Sequence, residues 1–145
     1  MQDIKIDNFK RDFPALEFPR FESIRGNESE LLRQNIAAKL ESTSADGRAI
    51  VEIIRKRSSL IPDINAEVPS FSFSSMLGAL RLDTPAFVLL NWKNFEEVDR
   101  MSFDKLNEYF DYIWYPSSDD VEILDGSLCW IISVTHSGDV FFLAL

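Results

Sequence analysis

Val121-Glu122-Ile123-Leu124, then Leu128-Cys129-Trp130-Ile131-Ile132-Ser133-Val134-Thr135, then Val140-Phe141-Phe142-Leu143-Ala144-Leu145 decide the fold. Three runs rich in β-branched and aromatic residues follow one another with gaps too short for a helix. Ser137-Gly138 between the last two is a hairpin turn. The spacing predicts an antiparallel meander at the C-terminus. Leu128, Trp130, Ile132 and Val134 alternate with Cys129, Ile131, Ser133 and Thr135, so both faces of the middle strand are largely apolar. Burial of Trp130 and Ile132 is therefore expected, and Cys129 reads as a buried, inert thiol.

Upstream of the meander, Phe103, Leu106, Phe110 and Ile113 recur at i, i+3, i+7 and i+10, and Ser102 stands where a cap would. This predicts one continuous helix up to the turn Pro116-Ser117-Ser118-Asp119-Asp120. Ala86-Phe87-Val88-Leu89-Leu90 reads as a buried strand. Asn27 with Glu30 opens a helix from about 27 to 41, carried by Leu32, Ile36 and Leu40. After a turn over Ser42–Gly47, a second helix runs from about 47 to 58 on Ile50, Ile53 and Ile54. Pro62–Pro69 reads as loop. Residues 70–83 admit either a strand begun by Phe71 and Phe73 or a short helix over Met76–Leu82. In residues 1–25, Pro14 and Pro19 break helix, and an extended arm anchored by Phe9, Phe13, Phe18 and Phe21 is expected. The sum is an α+β domain spanning 1–145: two to three helices packed on a small antiparallel sheet, ending in the meander.

At 145 residues with 46% hydrophobic content the chain can bury a core without staples. Its single cysteine allows no intrachain disulfide, which suits a reducing compartment. The N-terminus has no apolar stretch like that of a signal peptide, and no apolar run approaches a membrane span. A cytoplasmic protein is expected.

The formal charge of −9 is unevenly spread. Residues 1–93 balance; residues 94–145 hold Arg100 and Lys105 against eleven acids. Such a field repels nucleic acid and anionic membrane and favours basic surfaces. Asp104, Glu108 and Asp111, at i, i+4 and i+7, form one acidic stripe on the predicted helix. Asp119, Asp120, Glu122 and Asp125 follow and would extend it. Between the two groups stand Tyr112, Trp114 and Tyr115, residue types that dominate protein interfaces and that suit Lys and Arg from a partner. These ten residues are the candidate docking site for a basic protein; a solvated helix face is the plainer alternative.

Signatures of chemistry are sparse. There is no GxxxxGK[ST], GxGxxG, CxxC or HExxH. One Cys and one His make a poor zinc set, so no metal or cofactor is expected. His136 and Asp139 flank the Ser137-Gly138 turn and could face each other across it. A metal-dependent hydrolase using Asp119, Asp120 and His136 is the alternative from another class, and an adaptor module is a third.

The segment Tyr109 to Leu143, with Trp114-Tyr115-Pro116-Ser117-Ser118-Asp119-Asp120 and then Leu128-Cys129-Trp130-Ile131-Ile132-Ser133-Val134-Thr135-His136, resembles the C-terminal part of immunity proteins from bacterial polymorphic-toxin and contact-dependent inhibition systems. The resemblance implies a non-catalytic cytoplasmic antitoxin. Its partner would be a cognate toxin domain, often a basic nuclease, whose active site it occludes. It assigns no residue a role; the acidic site is read from spacing alone.

Overall fold

The computed structural model describes all 145 residues. They form an α+β domain of six helices and seven strands. In chain order these are α1 (Asp3–Asp12), β1 (Phe21–Arg25), α2 (Asn27–Lys39), α3 (Gly47–Arg57), β2 (Ser59–Asn65) and α4 (Phe73–Ala79). Then come β3 (Phe87–Asn91), β4 (Glu97–Ser102), α5 (Phe103–Glu108), α6 (Phe110–Ile113), β5 (Val121–Asp125), β6 (Trp130–Val134) and β7 (Asp139–Ala144). One sheet takes all seven strands in the order β1-β4-β3-β5-β6-β7-β2, and every pairing is antiparallel.

The expected meander is present: Ile123 sits opposite Ile132, and Ile132 opposite Phe142. Trp130 and Ile132 are buried. Strand period 2 sends alternate residues to opposite faces, and both faces are covered. Val88, Leu90, Ile123, Trp130 and Ile132 join one core with Phe73 and Leu77 of α4, Phe103 of α5 and Phe110 of α6. Leu89, Val98, Leu124 and Ile131 join a second core with Ile36 of α2, Leu40 just after it, and Ile50 and Ile54 of α3. The chain is thus a sheet between two helical layers.

Several expectations need correction. Residues 1–25 are not an extended arm. Residues 3–12 form α1, because the prolines lie beyond it and its inward face is Lys5 and Phe9, both fully buried, while Ile4 is exposed. The aromatic anchors do hold: Phe9 packs edge-on against Phe18, Tyr109 and Tyr112. The sheet is also larger than expected. β2 occupies part of the predicted loop, with Pro62 on an outer strand where no inward N–H is needed. Within residues 70–83 the helical alternative holds, as α4 at Phe73–Ala79 rather than Met76–Leu82, capped by the Ser72 hydroxyl.

The helix predicted through Ile113 is broken. Tyr109 leaves helical geometry (φ −120°, ψ 27°) between α5 and α6. Its ring turns onto Phe9, while Phe110 and Trp114 stack parallel with centroids 5.4 Å apart. Aromatic docking overrides a continuous helix here.

Cys129 is exposed, contrary to expectation. It lies in the β5–β6 turn, because the Asp125 carboxylate collects the N–H groups of Ser127, Cys129 and Trp130 at 3.0, 2.6 and 2.8 Å and delays the start of β6.

Candidate functional site

Folding divides the predicted acidic surface in two. Asp104, Glu108 and Asp111 are exposed on α5 and α6, and Tyr112 and Tyr115 are half-buried beside them. These five can meet a partner. Lys105 donates to Glu108 at 2.6 Å and holds that carboxyl below its ordinary range. Tyr112 donates to Asp12 of α1 at 3.2 Å, and Asn8 donates to the Tyr115 hydroxyl at 3.1 Å. Burial holds the Tyr112 phenol above its usual range.

Trp114, Asp119, Glu122 and Asp125 cannot dock anything from outside; each is 6% exposed or less. Trp114 is core, with its indole N–H on the Asp119 carbonyl at 2.8 Å. Asp119 accepts from the buried Lys5 ammonium at 2.7 Å and from the Tyr115 N–H at 2.8 Å. Lys5 also donates to the Ile113 carbonyl at 2.6 Å and lies 3.8 Å over the Trp92 ring. Desolvation holds the Lys5 ammonium below its ordinary pKa, against the opposing pull of Asp119. Nearby, Asp99 is fully buried and takes the Trp92 indole N–H at 3.0 Å, the Ser23 hydroxyl at 2.8 Å and the Met1 amino group at 2.5 Å. These pairs fasten α1 to the sheet.

Asp119, Asp120 and His136 do not form one site. Asp119 faces Lys5. Asp120 and His136 meet on the α3 side, where His136 Nδ1 is 2.9 Å from Asp120 Oδ1 and the His136 backbone N–H donates to the same oxygen at 2.8 Å. His136 therefore does not pair with Asp139, whose carboxylate accepts from Ser137 Oγ at 3.0 Å. Arg55, at the end of α3, reaches Asp120 at 3.3 Å. Burial pushes the Asp120 carboxyl upward, but the two His136 donors outweigh it and leave the carboxyl low.

This second cluster borders a cleft that sequence reading missed. Two adjoining cavities of about 310 and 300 Å³ share Arg55, Asp120, Glu122 and His136 in their walls. Glu122 rises from β5 with one hydrogen bond from the Asn91 amide at 2.6 Å, and burial lifts its carboxyl above the usual carboxylate range. Ser133, opposite Glu122 on β6, is 9% exposed and its hydroxyl has no hydrogen-bond partner. Leaving such a group unpaired costs about 1–3 kcal/mol. The signal for the cleft was the polar pair Glu122 and Ser133 inside two strands that are otherwise apolar but for Asp125 at the end of β5.

No group of His, Cys, Asp and Glu side chains is arranged to hold a metal ion. No helix is long and apolar enough to cross a membrane. Comparison with protein-family models, with curated proteins and with solved structures finds no match for this chain.

Proposed function

We propose that this protein is an immunity-type inhibitor, cytoplasmic and non-catalytic, that binds and blocks a cognate basic toxin domain, a nuclease by charge. The observation that carries the reading is the surviving face of α5 and α6. Asp104, Glu108 and Asp111 remain exposed next to half-buried Tyr112 and Tyr115, although Asp119, Glu122 and Asp125 are drawn inside. Carboxylates there would stand where a nuclease receives phosphates, and the tyrosines would offer rigid contact area at small entropic cost. The segment that carries the resemblance, Tyr109 to Leu143, builds the centre of the sheet. It also contributes Asp111, Tyr112 and Tyr115 to the exposed face, which Asp104 and Glu108 of α5 complete from outside it.

The hydrolase alternative loses Asp119 to Lys5. The test is co-expression with the toxin domain encoded beside this gene. Rescue of growth by the wild type, and loss of rescue when Asp104, Glu108 and Asp111 become Lys in a protein that stays folded, is expected. Rescue by the reversed variant, or no complex with that toxin, would rule the reading out.

A further inference from the structure

The cleft at the end of α3 lies outside the proposed docking face, and it has the makings of a ligand site. Its two cavities together fall in the size range of small-molecule sites. Hydrogen-bonding groups left free by the protein converge on it. Ser133 Oγ is buried without a partner and lines one wall. Glu122 has a single hydrogen bond, from behind. Arg55 touches Asp120 through one nitrogen only. His136 is held by Asp120 through Nδ1, which leaves Nε2 free. Lys93 lines the second cavity and makes no ion pair.

The balance of these groups selects the ligand. A cationic ligand would meet Arg55 and Lys93. A neutral sugar would leave Lys93 without a counter-charge and the rest of the Arg55 guanidinium unused. An anion uses both, and the guanidinium fork of Arg55 matches a carboxylate with two parallel hydrogen bonds. Of the two acids in the walls, Asp120 is already engaged by Arg55 and His136, and Glu122 accepts from Asn91. We propose that this cleft binds a small free carboxylic acid, its carboxylate on Arg55, which both cavities share, with the Ser133 hydroxyl in the wall of one cavity and Lys93 in the wall of the other. Burial raises the Glu122 carboxyl above the usual carboxylate range, which favours the protonated form able to donate its O–H to the ligand.

The sign of the pH dependence follows. Asn91 and Lys93 at the end of β3, Arg55 of α3, Asp120 before β5, and Ser133 and His136 on and after β6 are the groups that face or flank Glu122. When Glu122 ionises it repels an anion in the same cleft, so affinity falls as pH rises through its titration.

Succinate is the probe, with methylammonium chloride and glucose as controls, followed by NMR on the isotope-labelled full chain. Succinate is expected to shift the Ser133 and His136 resonances saturably at pH 5.5 and to bind more weakly at pH 8. Arg55→Gln, at an exposed position that leaves the fold intact, should weaken binding tenfold or more, and Ser133→Ala severalfold. Glu122→Gln should bind succinate with a smaller loss of affinity between pH 5.5 and pH 8 than wild type. Saturation by methylammonium or glucose in place of succinate, no saturable shift with any probe, or unchanged affinity in Arg55→Gln would each overturn the proposal. The α5–α6 face is untouched by these variants, so this result and the toxin-binding result stand or fall separately.

Discussion

At the residue scale, the decisive events are burials of charge. Lys5 and Asp119 are both out of solvent and 2.7 Å apart. Removing one member of such a pair strands the other. Asp119→Asn should cost about 3–5 kcal/mol in urea unfolding; a cost under 1 kcal/mol would mean that the pair does not hold α1 in place. Glu122 behaves differently. Its folded pKa lies above the unfolded value. The folded state therefore binds more protons in the window between the two values, and its stability falls as pH rises through the folded pKa. Glu122→Gln keeps an acceptor for Asn91 and cannot ionise. Its stability advantage over wild type should grow with pH across that window; an advantage independent of pH would contradict the assignment. None of this was legible locally. The acids of residues 119–125 read as an exposed extension of the docking stripe, and the partner that buries Asp119 lies 114 positions away. Trp114 was misread because a Trp set among carboxylates looks like an interface residue, whereas it stacks on Phe110 and is buried in the core. Trp114→Ala should unfold the protein by about 3–5 kcal/mol rather than mark a binding hot spot.

At the scale of elements, legibility followed apolar periodicity. β3, β5, β6 and β7 were readable because their side chains are apolar on one face or both. β4 was not, because Asp99 and Arg100 interrupt it, and Asp99 is buried only through Trp92, Ser23 and Met1. β2 was masked by Pro62, and α1 by an inverted pattern that buries a lysine and exposes an isoleucine. α2 and α3 appeared where expected, within two residues at the ends. The start of α3 carries two local requirements. Asp46 accepts from the N–H groups of Arg48 and Ala49, both at 3.1 Å. Asp46→Ala should therefore cost about 1 kcal/mol. Gly47 lies so close to the β3–β4 connection that a Cβ there would stand 1.7 Å from the Asn94 carbonyl oxygen. Gly47→Ala must push α3 off the sheet and should cost about 1–3 kcal/mol. A thermal midpoint unchanged by Gly47→Ala would contradict that close approach.

At the scale of the molecule, charge that is segregated along the chain is partly mixed in space. Lys5, Arg25 and Arg55, from the balanced first two thirds, pair with Asp119, Glu97 and Asp120 of the acidic last third. The α5–α6 face keeps Asp104, Glu108 and Asp111 against Lys105. Steering of a basic partner would thus come from the overall −9, of which this face holds a modest local excess. Reversing the three acids changes the local charge by six units, while Phe103, Leu106, Phe110 and Ile113 stay buried beneath. The most direct measurement is the association rate with the cognate toxin domain across ionic strength, for wild type and for Asp104→Lys/Glu108→Lys/Asp111→Lys. A steering field fades as the Debye length shrinks from about 30 Å at 0.01 M to about 8 Å at 0.15 M. The wild-type rate should fall over that range, and the variant should associate about tenfold or more slowly at low salt. Equal rates with equal salt dependence for the two proteins would contradict an acidic docking face on α5 and α6.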